Sequence, residues 1–109
     1  MTVLEAINSV ELLRGGYLSY DEKKRALSRL EALLMEGGFS GFQSDSQTLS
    51  LPDEFCDIYI LYLKAEAENK MEEYERCNNT LITFMAQLSD YKRHAKRTGG
   101  YKAARFKLR

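Results

Sequence analysis

Five carboxylates, Glu66, Glu68, Glu72, Glu73 and Glu75, crowd a short stretch of this 109-residue chain, the first place to look for metal or acid–base chemistry. A carboxylate metal site in a helical bundle pairs such groups with a histidine three residues further on. No Glu-x-x-His spacing occurs here, so the cluster reads as a solvated acidic face. His94 is the only histidine and sits inside the basic stretch from Lys92 to Arg97. With no orienting carboxylate among its neighbours it reads as a solvated surface side chain rather than a general base. Cys56 and Cys77 are too few for a disulfide framework or a zinc set. Each falls among apolar residues at helical spacing, which predicts two buried free thiols and suits a reducing compartment. The Gly-Gly pairs at 15–16, 37–38 and 99–100 follow apolar helical patterns instead of preceding them, so they are stops and not phosphate cradles. Phosphate-loop, dinucleotide, HExxH and nucleophile-elbow patterns are missing. The expectation is a protein that is not an enzyme, with no catalytic residue, cofactor or metal ligand.

Charge carries more information than chemistry. The formal net charge is zero, from 16 basic and 16 acidic residues. Yet no acid follows Asp90, whereas Lys92, Arg93, Lys96, Arg97, Lys102, Arg105, Lys107 and Arg109 do. The last part of the chain therefore carries +8 and the body before it −8, a split that suggests a basic interaction arm beside an acidic body. Tyr101 and Phe106 are interleaved with these cations. Such an arm can be merely solubilising, or it can bind an acidic partner: protein, nucleic acid or membrane surface. The other aromatic residues fall mainly on helical stripes and are read as core.

The elements follow from punctuation and period. Length and a hydrophobic content of 44% fit one domain with a modest core. No apolar run is long enough to span a bilayer, and the opening residues do not resemble a secretion signal. Thr2 and Glu5 have capping-box spacing ahead of a first helix carrying Val3, Ile7, Val10 and Leu13. Ser19 and Glu22 repeat that spacing before a second helix, whose stripe is Ala26, Leu27, Leu30, Leu33 and Leu34, with Lys23, Lys24, Arg25 and Arg29 on the other face. Residues 39–51 have no helical period and read as a long loop or a short hairpin, with Phe39 and Phe42 pinning its entrance. Pro52 opens a third helix, burying Phe55, Ile58, Tyr59, Tyr62, Leu63 and Ala67. A turn or kink is placed at Glu68 to Lys70. A fourth helix then runs from about Met71 to Arg97 with the stripe Tyr74, Cys77, Leu81, Phe84, Leu88 and Tyr91. On that stripe, truncating either Leu81 or Phe84 to Ala is expected to cost roughly 2–5 kcal/mol. The predicted fold is all-α: about four helices in a small bundle with a long antiparallel hairpin, as a helical domain at 1–97 and a basic arm at 98–109.

Residues 51–97 resemble a known family. Leu51-Pro52-Asp53-Glu54-Phe55, then Asp57-Ile58-Tyr59, Tyr62-Leu63, and Glu73-Tyr74-Glu75-Arg76-Cys77-Asn78-Asn79 with Phe84, look like the small head-to-tail connector proteins of long-tailed bacteriophages, particularly those of Gram-positive hosts. These are also termed adaptor or head-completion proteins. The opening Met1 to Ile7 and the helix at Ser19 to Leu34 fit the same layout. The resemblance implies a structural protein that docks on the portal after DNA packaging, extends the DNA channel and offers a platform for the next neck or tail component. It further implies self-association into a closed ring of about twelve copies. DNA would pass through without sequence-specific binding, no membrane would be involved, and the location would be the capsid–tail junction of a virion assembled in the host cytoplasm.

Two partner-binding surfaces are expected from arm charge and loop length. One comprises Arg93, Arg97, Tyr101, Lys102, Arg105 and Phe106. The other comprises Ser40, Phe42, Ser44, Asp45 and Ser46. The competing reading is a small helical nucleic-acid-binding regulator that uses the basic tail. A membrane-surface arm built on Tyr101, Phe106 and Leu108 is the remaining option.

Overall fold

Two reciprocal hydrogen-bond motifs start the first two helices, where the sequence puts them. The Thr2 amide donates to the Glu5 carboxylate at 2.8 Å and the Glu5 amide to the Thr2 hydroxyl at 3.2 Å, opening α1 (Val3–Arg14). Ser19 and Glu22 form the same box at the start of α2 (Tyr20–Leu34). Each satisfies backbone donors that the first helical turn leaves unpaired. A 3-10 turn, Asp53–Phe55, then leads into α3 (Asp57–Lys70), and α4 (Tyr74–Thr98) is the last element among the described residues. This computed structural model describes residues 1–14, 18–36 and 38–98. The glycine stops expected at 15–16 and 99–100, Gly37, the side chain of Leu13 and the arm from 99 onward lie outside the described residues.

The fold is an all-α bundle of four helices, as the sequence predicts, with no strand among the described residues. α3 is its centre. Ile58, Tyr59, Leu63, Ala65 and Ala67 are buried, and Ile60, Leu61 and Tyr62 are partly so. A helix apolar on several faces must be covered on several sides, and α1, α2 and α4 all pack on it. α1 contributes buried Val3, Ala6, Ile7 and Val10, and α2 contributes Ala26, Leu27 and Leu30. Burying each large aliphatic side chain stabilises by roughly 1.5–3 kcal/mol.

α3 and α4 make the antiparallel hairpin. Its turn is a Schellman motif in which the Glu72 amide bonds to the Asn69 carbonyl at 3.1 Å and the Glu73 amide to the Glu68 carbonyl at 2.9 Å. Glu72 takes the left-handed conformation, φ 61, that glycine usually fills. Cys77 and Phe84 face α3, with the Phe84 ring 5.4 Å from that of Tyr62. Both cysteines are free and buried, and burial pushes their thiols above the ordinary value.

Several expectations need correction. Lys23, assigned to the solvent face, is buried, whereas Leu33, assigned to the core stripe, is 71% exposed at the end of α2. Tyr74 and Leu81 also stand outside the core, so α3 covers only part of the α4 stripe. Glu68 belongs to no solvated face: it is buried and accepts a hydrogen bond from the Thr80 hydroxyl at 2.6 Å, with the Lys64 ammonium 3.8 Å away. His94 is half-buried, its ring 5.1 Å from that of Phe55. The third helix begins at Asp57 rather than Pro52, and the turn falls at 71–73 rather than 68–70.

Candidate interaction surfaces

Residues 39–51 form neither a free loop nor a hairpin with itself. They lie along the first residues of the chain, with a single bridge between Thr2 and Thr48. The Val3 amide donates to the Gln47 carbonyl at 3.1 Å, the Leu4 amide to the Asp45 carbonyl at 3.0 Å, and the Leu49 amide to the Met1 carbonyl at 2.8 Å. Phe39 and Phe42 meet edge to face at 4.9 Å at the entrance, and Phe42 packs on the core. Leu49 and Leu51 close the far end as buried residues.

Polar groups pin the same segment at two points. Tyr20 donates its hydroxyl to the Asp45 carboxylate, which also pairs with Lys24 at 3.1 Å. These contacts hold the Asp45 carboxyl below its ordinary range and push the Tyr20 phenol up. The second point is buried. Glu31 accepts from the Tyr59 hydroxyl at 2.7 Å, from the Ser50 hydroxyl at 2.9 Å and from the Ser50 amide at 3.1 Å. The Tyr59 oxygen in turn accepts from the Leu51 amide at 2.9 Å. Burial is the main cause that raises the Tyr59 phenol far above its ordinary value. Sequence reasoning missed this clamp because Glu31, at the edge of the α2 stripe beside Leu27 and Leu34, gives no sign of the distant Tyr59 hydroxyl that it meets.

The expected loop surface is therefore divided. Ser40, Ser44 and Ser46 are exposed, with the Ser44 and Ser46 hydroxyls 3.1 Å apart. Phe42 is half-buried against the core, and Asp45 is half-exposed but engaged by Tyr20 and Lys24. Of the expected basic surface, Arg93 and Arg97 are exposed on the last turns of α4, where Lys92 and Lys96 join them. Arg93 pairs with Asp90 one turn back. Tyr101, Lys102, Arg105 and Phe106 lie outside the described residues, so the structure does not bring the two expected surfaces together or apart.

A third feature was not foreseen. α2 and α4 lean on different sides of α3 and leave an open groove of about 300 Å³ between them. Tyr62 and Phe84 line it together with exposed Leu33 and Met85. The sequence carries no sign of it, because Leu33 falls on the expected core stripe of α2 and only the placed helices leave it exposed. Among the described residues no group of three or more His, Cys, Asp or Glu could hold a metal ion, and no helix is long and apolar enough to cross a membrane. Comparison with family models, curated proteins and solved structures returns no match.

Proposed function

We propose that this chain is a structural assembly protein of a long-tailed bacteriophage: a head-to-tail connector that docks on the portal ring, extends the DNA channel and joins capsid to tail. The observation that carries the reading is the run from Leu51 to Phe84. Its family-like positions are the ones that build the hairpin: Phe55 in the turn entering α3, Tyr59 and Leu63 in the core, Tyr62 against Phe84 across the two helices. Those positions are packing residues, so the likeness concerns architecture and assembly and not catalysis. A rigid hairpin with a cationic end also suits a ring subunit that engages an acidic partner.

The test is direct binding. Purified chain is mixed with portal rings of the same phage and the mixture is separated by sedimentation. Co-migration at one chain per portal subunit is the expected result; failure to bind packaged-state portals would remove the reading.

The exposed cations Lys92, Arg93, Lys96 and Arg97 favour one alternative, a small helical nucleic-acid-binding regulator. That reading expects duplex-DNA affinity that falls steeply with salt and disappears when residues 92–109 are removed. Affinity without these two properties would count against it.

A further inference from the structure

α4 carries an exposed face with a self-complementary order of side chains. Tyr74, Leu81, Ile82 and Met85 are 58%, 36%, 68% and 59% exposed, although all four are large and apolar. At 100° per residue they share one side of the helix with Glu75, Asn78, Ser89, Lys92, Arg93 and Lys96. Read from one end to the other, that side runs acidic, polar, apolar, polar, basic. Arg76 projects from the opposite side of the helix, whereas Asp90 flanks this side, one turn before Arg93, with which it pairs. Leu33 of α2 extends the apolar centre, since it lines the groove beside Met85.

We propose that this face is the interface of a two-fold dimer in the free protein, with α4 of a second copy lying antiparallel against it. Antiparallel pairing about the helix centre, near Thr83 and Phe84, sets Ile82 against the partner's Met85 and Asn78 against the partner's Ser89. It also sets Glu75 against the partner's Arg93. Each contact occurs twice, because an isologous interface uses the same patch on both subunits. Parallel pairing would stack Lys92 on Lys92 and Glu75 on Glu75, and like charges brought together disfavour association. Arg93 must leave Asp90 to do this, and the loss is small because both are well exposed. A contact along one helix of about 37 Å falls near or below the roughly 1,200 Å² of a stable interface. The dimer is accordingly weak, in the micromolar range, and sensitive to salt. None of this depends on the connector reading.

Sedimentation equilibrium on the full chain tests it, at about 5–500 µM and about 50 mM salt. The expected result is a mass rising from 12.6 kDa to twice that value. Ile82→Lys with Met85→Lys should weaken dimerisation at least about tenfold while leaving helical circular dichroism unchanged, as both residues are exposed. Glu75→Lys alone should weaken it, and Glu75→Lys combined with Arg93→Glu should restore it, since the swap rebuilds both ion pairs. A monomer throughout, a mass beyond the dimer, a dimer untouched by the lysines, or a charge swap without rescue would each overturn the proposal.

Discussion

Replacing Tyr59 by Phe removes one oxygen atom from the buried polar cluster that joins α2, α3 and the 39–51 segment. The ring stays, so no cavity opens and the apolar packing of α3 on α1 and α2 is kept. Three hydrogen bonds are lost: the one donated to Glu31 at 2.7 Å, the one accepted from the Leu51 amide at 2.9 Å, and a long, weak one with the Ser50 hydroxyl at 3.4 Å. Hydrogen bonds to an acidic group contribute about 1.5–3 kcal/mol, and a buried amide left without a partner costs about 1–3 kcal/mol. The two overlap, because Glu31 retains both Ser50 contacts. The net loss is therefore about 2–4 kcal/mol, equivalent in a domain this size to a fall in Tm of at least about 8 °C. Urea unfolding followed by circular dichroism measures it, with an unchanged slope showing that the native state stays compact. Hydrogen exchange should show the amides of Leu49 and Leu51 losing protection first, since the clamp ties that segment to α2. A loss below about 0.5 kcal/mol, within the range of ordinary surface substitutions, would refute the idea that this clamp secures the segment.

Three further outcomes follow from the same structure. Phe84→Ala should cost about 3–5 kcal/mol and Leu81→Ala under about 1.5 kcal/mol, because Leu81 is partly exposed; equal losses in urea unfolding would contradict the packing of α4. Glu72→Gly should raise stability by about 0.5–1 kcal/mol, since glycine accepts the left-handed turn without a Cβ conflict; a lower Tm would contradict the Schellman geometry. Glu22, bonded to Lys70 and to the Ser19 amide, has its pKa lowered from 4.5 to about 2. Its folded value lies below its unfolded one, so its stabilising contribution is complete above about pH 4.5 and fades as pH falls towards 2. Tm of wild type measured across that window should fall more steeply than Tm of Glu22→Gln, and parallel curves would contradict the assignment.

Local features of the fold were legible in the sequence because their physics is local. Thr2 with Glu5 and Ser19 with Glu22 are capping pairs three residues apart, and both form. Val3, Ile7 and Val10 of α1 and Ala26, Leu27 and Leu30 of α2 were legible as core for the same reason, since period alone reports them, and the α3–α4 hairpin from the break between two such stripes. What escaped depends on distant partners. Glu31 and Glu68 look like surface glutamates until Tyr59 and Thr80 arrive from 28 and 12 residues away. Leu33, Tyr74 and Leu81 obey the helical period but lie beyond the area that neighbouring helices cover, which the placement of those helices decides and spacing does not. The segment at 39–51 was visible as irregular, yet its pairing with the first residues of the chain left no periodic trace. For the candidate surfaces, composition marked the cationic end of α4, whereas the groove beside Leu33 and Met85 required three helices to be placed.

On the connector reading a phage encodes this chain, and quantitative mass spectrometry of that phage's purified DNA-filled particles tests the reading most directly. The account predicts the chain in those particles at a copy number matching the portal protein. Its absence from filled particles, while it is abundant in the infected cells that made them, would contradict the account.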